Sequence, residues 1–338
     1  MNSLAIGSLV FLILYSILFI LLVLGYVTKR IKLKSRWTLV TFHVTLRLAS
    51  QGVGLGFGLK GYEATDLLVA YLILGAEGYF SLVLCTGRYL VSWHNHNFLS
   101  HDSWLEPRRR PSPNHNSGVS KWASRIEENF SLRGWRKHPL AVVHWLLIAA
   151  NAIIISGGSI LAGGSSNAST AWYDNNNITT AKIMRAIGQS VFLIINMALF
   201  GCIIFTVRQA KREDPNRPWY GHGTLGLLLL TWPFLAVRGV FGVCQAVINQ
   251  LNYYYPDIYK ADGLATEFVV KELVLATMTE WISCTLLMAT YVTSRGDPKV
   301  PPIDSGLDTV SSDSGHAGKG EEMLMKRSNL KGDVETRV

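Results

Sequence analysis

The sequence predicts an all-α polytopic membrane protein: a bundle of seven transmembrane helices, with the N-terminus outside and the C-terminus in the cytoplasm. Three observations lead there. Several apolar runs are about 20 residues long, the length that crosses a bilayer as helix. Of 338 residues, 49% are hydrophobic and only 16% charged, against about 25% charged in soluble domains. The basic residues stand just outside alternate ends of the apolar runs, which is how membrane topology is encoded.

The spans read, in order, near 4–27, 37–59, 67–87, 140–162, 183–207, 223–247 and 268–292, so residues 1–295 form one membrane domain. The first run lacks a basic leader, is too long for a signal peptide and has no small-residue cleavage site after it, so it reads as a retained helix. Lys29, Arg30, Lys32, Lys34 and Arg36 follow it. Segment 88–139 carries Arg108, Arg109 and Arg110 among others, segment 208–222 carries Arg208, Lys211, Arg212 and Arg217, and the tail from 293 holds seven more basic residues. The opposite loops offer Lys60, Lys182 and Lys260. This asymmetry sets the orientation. The sequons Asn167-Ala-Ser169 and Asn177-Ile-Thr179 fall in the outside loop 163–182 and mark expected glycosylation sites. The membrane expected is the plasma membrane or another membrane of the secretory pathway.

In the cytoplasmic loop 88–139, Val119, Trp122, Ile126 and Phe130 recur at helical spacing among basic residues. That pattern suits either a helix lying on anionic lipid or a flexible basic loop. Residues 296–338 have the composition of a disordered cytoplasmic tail. The net charge of +9 does not imply nucleic acid, because the charge is spread over membrane flanks rather than gathered on a soluble domain. Cys85, Cys202, Cys244 and Cys284 all lie inside apolar runs, which argues for packing thiols and against a disulfide framework.

The stretch RLASQGVGLGFG, residues 47–58, lacks the G-x-G-x-x-G spacing of a dinucleotide loop. It lies inside the second span. Gly52 with Gly56, and Gly54 with Gly58, give two small-xxx-small faces that admit a neighbouring helix. His43, Arg47, Gln51 and Gly54 line up as a polar stripe on the same helix.

Four charges sit near mid-membrane: Arg47, Glu77, Arg238 and Glu280. A lone charge there costs roughly 3 kcal/mol on insertion scales, so these four are expected to face inward and pair. Arg47 with Glu77 and Arg238 with Glu280 is the simplest scheme, and the crossed pairing is also open. With His43 and Gln51 they form a candidate intramembrane polar site. A parallel arrangement of spans two–three and six–seven follows from the same pattern. Asn151, Arg185, Gln189, Asn196, Thr277, Ser283 and Cys284 are further inward-facing candidates. Pro233 is expected to kink span six and serve as its hinge.

His94, His96 and His101 in WHNHNFLSH lack a matching ligand set. There is no G-x-S-x-G, Walker loop or H-E-x-x-H. No enzyme activity, cofactor or metal is therefore expected.

The run Arg238-Gly-Val-Phe241-Gly242-Val-Cys-Gln245 and the layout over residues 4–295 resemble a fungal seven-transmembrane family of uncharacterised function. That family is distantly similar to the fungal lipid-translocating exporter and drug-resistance family. Arg238 and Phe241 match the exporters' R-x-x-[FY]-R-x-x-E motif, whereas Gly242 stands for its second arginine and Gln245 for its acid. The resemblance implies a transporter or lipid-translocating protein with membrane lipids, or a lipid or small molecule, as partner. Two other classes stay open from the residues. A receptor-like signalling protein is favoured by Gly87-Arg88-Tyr89 and Trp232-Pro233, and opposed by a seventh span without Asn-Pro-x-x-Tyr. A membrane organiser would use the charges only to hold its helices.

Overall fold

Backbone polar groups inside lipid must bond within their own segment, which leaves helices as the open choice for these runs. In the computed structural model, residues 2–32, 35–97, 105, 139–163, 175–213, 223–253, 255–260 and 263–294 are described. Among them the long helices are α1 (Ser3–Val27), α2 (Trp37–Lys60), α3 (Thr65–Asn97), α4 (Pro139–Gly163), α5 (Asn175–Glu213), α6 (Gly223–Val247) and α7 (Thr266–Thr293). Six of them are long and apolar enough to cross a membrane, and α2 is of the same length but falls outside that set. Its polar stripe is the physical reason: His43, Arg47, Ser50 and Gln51 all lie on it and all are buried.

Helix ends follow local chemistry. Asn2 caps α1 by accepting from the Leu4 amide at 3.4 Å, and Lys29 leaves that helix in the left-handed region at φ 55°. Gly61 ends α2 at φ 65°, a conformation that costs glycine nothing.

The third and fifth helices run well past their expected ends. α3 continues to Asn97, so residues 88–97 of the expected cytoplasmic loop are helix. Residues 98–104 and 106–138, with the expected surface helix around Trp122, lie outside the described residues, as do Asn167 and the tail. α5 begins at Asn175, which shortens the expected loop 163–182 and puts Asn177 in the first turn of a helix. α6 runs as one helix through Pro233.

α3 is the hub of the bundle and touches α2, α4, α5, α6 and α7. The pairs α1–α2, α4–α5, α5–α6 and α6–α7 pack along their lengths. One stripe of α1 faces inward (Leu4, Ala5, Ser8, Tyr15, Leu18, Leu22), while Ile6, Ile13, Ile17 and Ile20 are exposed, as lipid-facing residues would be. At the end where α1 begins, the segment between α6 and α7 forms two 3₁₀ turns and a short hairpin, β1 (Tyr259–Lys260) against β2 (Gly263–Leu264). Tyr62 ties it to the α2–α3 connection by donating to the Lys260 carbonyl at 2.8 Å. Partial burial raises the Tyr62 hydroxyl above its ordinary value.

One of the two expected glycine faces is used. A side chain on Gly58 would overlap the backbone of Ala5 in α1, and one on Gly54 would meet Ser8 Oγ and the Tyr71 ring at 2.7 and 2.9 Å. Gly52 faces open space, and Gly56 meets only the tip of Leu67 at 3.1 Å. The difference is geometric: residues two apart on a helix point about 200° apart, so a single neighbour engages one pair.

Candidate functional site

The site is built around Glu280 on α7, which is fully buried. Arg47 of α2 pairs with its Oε2 through Nη2. Arg238 of α6 donates from Nε to Oε1 at 2.5 Å. The Nη2 atoms of both arginines also approach the Gly75 carbonyl of α3, at 3.5 Å each. Two guanidiniums therefore converge on one carboxylate, with four helices supplying the parts.

Small residues make the space. A side chain at Gly78 of α3 would collide with the Arg47 guanidinium, and one at Gly239 of α6 with the Tyr79 hydroxyl. Tyr79 in turn lies under the Arg238 guanidinium, 5.4 Å from ring centre to Cζ, a cation–π geometry. One turn from Arg47, His43 bonds Ser81 Oγ through Nδ1 at 2.8 Å, and Ser81 donates to the Gly78 carbonyl at 2.9 Å. Tyr15 of α1 closes this side with its ring edge to His43.

Glu77 does not join. It is half-buried and accepts from Asn151 Nδ2 of α4 at 2.5 Å. Half of each expected pairing forms, Arg238–Glu280 of the simple scheme and Arg47–Glu280 of the crossed one; the half that needs Glu77 does not, because Glu77 stands about 100° round α3 from Gly78, the face turned to Arg47. The expected equivalence of spans two–three and six–seven fails at the same residue. His94, expected in a loop, lies inside α3 and bonds Thr206 Oγ1 of α5 at 2.7 Å.

The structure adds a second acid that sequence reasoning left at the edge of a span. Glu272 is 9% exposed and faces the hydroxyls of Tyr71 and Tyr253, with Arg185 nearby. Eight residues separate Glu272 from Glu280, which in a regular α-helix leaves them roughly 80° apart. The intervening Leu273–Met278 is π-helical, and its wider turn changes that angle; both residues are buried. Both carboxylates thus face the bundle interior.

A line of polar groups extends between α5 and α6. Arg185 donates to Gln245 Oε1 at 2.7 Å and lies over the Tyr253 ring at 5.5 Å. Burial, with Glu272 and Tyr71 beside it, raises the Tyr253 hydroxyl well above its ordinary value, so it stays protonated. At Gly242 a side chain would overlap Gln189 Oε1 and lie 3.2 Å from Arg238 Nη1. Several buried polar atoms have no hydrogen-bond partner among the described residues: both ends of the Gln51 amide, Ser8 Oγ, Ser50 Oγ, Gln189 Oε1, Gln245 Nε2 and Arg238 Nη1.

Apolar helices of this length, with polar residues turned inward and isoleucines turned outward, define a multi-pass integral membrane protein. Comparison with family models, curated proteins and solved structures gives no match to any of them.

Proposed function

We propose that this protein is a transporter that moves a lipid or small amphiphile across the bilayer, along a path lined by the Glu280 cluster. The observation that carries the reading is the set of buried polar side chains beside the cluster that have no partner among the described residues, above all Gln51, which is fully buried with neither amide end bonded there. A cluster that served only to hold helices would be expected to satisfy its own polar groups, because each one left unmade costs about 1–3 kcal/mol. Resemblance to the fungal lipid-translocating exporters supports the same reading. In it the N-terminus is outside, Asn167 and Asn177 are glycosylation sites, and the protein resides in the plasma membrane or another membrane of the secretory pathway. Pro233, whose ring removes the bond to the Leu229 carbonyl, is the hinge of α6.

The test is movement of a fluorescent lipid between leaflets of reconstituted vesicles, for wild type and Gln51→Leu. Gln51 is the better probe than Glu280, whose loss would strand two arginines. Movement in wild type that disappears in a folded Gln51→Leu supports the path. Absence of movement in wild type rejects lipid translocation and leaves the cluster as a structural clasp.

A further inference from the structure

We infer that the seam between α5 and α6 is a binding site for an anionic oxygen ligand, a phosphate or a carboxylate, which enters past Lys182 and is held between Arg185 and Arg238. The inference deepens the transport reading by naming the chemistry of what the path accepts.

Charge is the first argument. Among the described residues the interior cluster contains three arginines, Arg47, Arg185 and Arg238, against two acids, Glu272 and Glu280. One positive charge is left over in a low-dielectric setting, where an uncompensated charge is costly. An anion would complete the balance. Glu77 does not, since it is engaged with Asn151 on the far side of α3.

Geometry is the second. Lys182, Arg185 and Gln189 lie three and four residues apart, on one face of α5, and Arg238, Gly242 and Gln245 lie four and three apart on one face of α6. The cations descend from the end of the bundle toward its centre. Lys182 is partly exposed and reaches Asn249 Oδ1 at 3.3 Å, Arg185 is half-buried, and Arg238 is 5% exposed. The missing side chain of Gly242 lets Gln189 Oε1 and Arg238 Nη1 both approach the same point of the seam.

Donor chemistry is the third. Arg185 spends its hydrogen bond on the neutral amide of Gln245, and Arg238 reaches Glu280 through Nε. Arg238 Nη1 and Gln245 Nε2 are buried donors without a partner among the described residues. Guanidinium forks suit phosphate and carboxylate, which accept two parallel bonds.

The test is thermal unfolding of the purified full chain in uncharged detergent. Inorganic phosphate, a soluble short-chain phosphatidic acid and a short-chain phosphatidylcholine are added at matched ionic strength. Wild type is compared with Arg185→Gln, and with Lys182→Gln should the first variant not fold. Stabilisation of wild type by phosphate or phosphatidic acid, with an apparent affinity at least tenfold weaker in Arg185→Gln or several-fold weaker in Lys182→Gln, is the expected result. Response to inorganic phosphate assigns a free anion, and response to phosphatidic acid alone assigns a lipid headgroup. Equal stabilisation of wild type and variant overturns the site, because general salt effects and the basic segment 88–139 act on both alike. No stabilisation by either anion overturns it too. Binding without leaflet movement would keep the site and discard lipid transport, and movement without anion binding would do the reverse.

Discussion

Glu77 and Glu280 are the same residue at similar depth on two apolar helices, yet they live in different worlds. Glu280 is fully buried, with two arginines on its two oxygens. Glu77 is half-buried and bonded to a neutral amide. The difference teaches that depth in the sequence of a span sets the cost of a charge, whereas rotation about the helix axis sets its partner. α7 turns Glu280 toward α2 and α6, and α3 turns Glu77 toward α4.

Substitutions sharpen this comparison. The largest effect is expected at Glu280→Gln, which leaves two buried guanidiniums without their anion. Destabilisation of about 3–5 kcal/mol is expected, read from unfolding in mixed micelles of increasing denaturing detergent. Arg238→Gln removes one of the two cations and keeps the Arg47–Glu280 pair, so its expected cost is smaller, about 2 kcal/mol by the same measurement. A result in which the arginine variant is the more damaging of the two would place the centre of the cluster elsewhere.

Gly78→Ala attacks the seat of Arg47 without changing any charge. The added methyl falls where the guanidinium lies, and an overpacking cost of about 1–3 kcal/mol is expected. Gly52→Ala, facing open space, is its control and should stay within about 0.5 kcal/mol. Glu77→Gln should be the mildest change at a mid-membrane charge, under about 1 kcal/mol, since glutamine can still accept from Asn151. A Glu77→Gln loss as large as that of Glu280→Gln would erase the distinction between the two acids.

Most of the helical plan was legible in the chain because a bilayer demands it. A run of about 20 apolar residues has one way to satisfy its backbone in lipid, and the seven expected spans each coincide with a helix. The ends were less legible. α3 passes Gly87 to reach Asn97 and α5 starts at Asn175, because polar residues continue a helix once a packed core holds its neighbours, and His94 finds Thr206 across the interface.

The site was half legible. Arg47, Arg238, Glu280, His43 and Gln51 were marked as inward-facing by their cost in lipid, and all five are buried. Glu272 was passed over because it stands close to the start of a span, where acids are common. A π-helical stretch sets its angle to Glu280. Arg185 and Gln245 were visible singly, but nothing in either helix announces that they bond.

By itself, then, the sequence determined which segments are helices and which of their polar residues must avoid lipid, since both follow from transfer costs paid residue by residue. Only the tertiary structure decided that two arginines share Glu280, that Glu77 is left to Asn151, and that Gly54 and Gly58 meet α1 while Gly52 faces open space. Those outcomes depend on the rotation and neighbours of each helix. They are set by side-chain volume across several helices at once, which no single run of residues encodes.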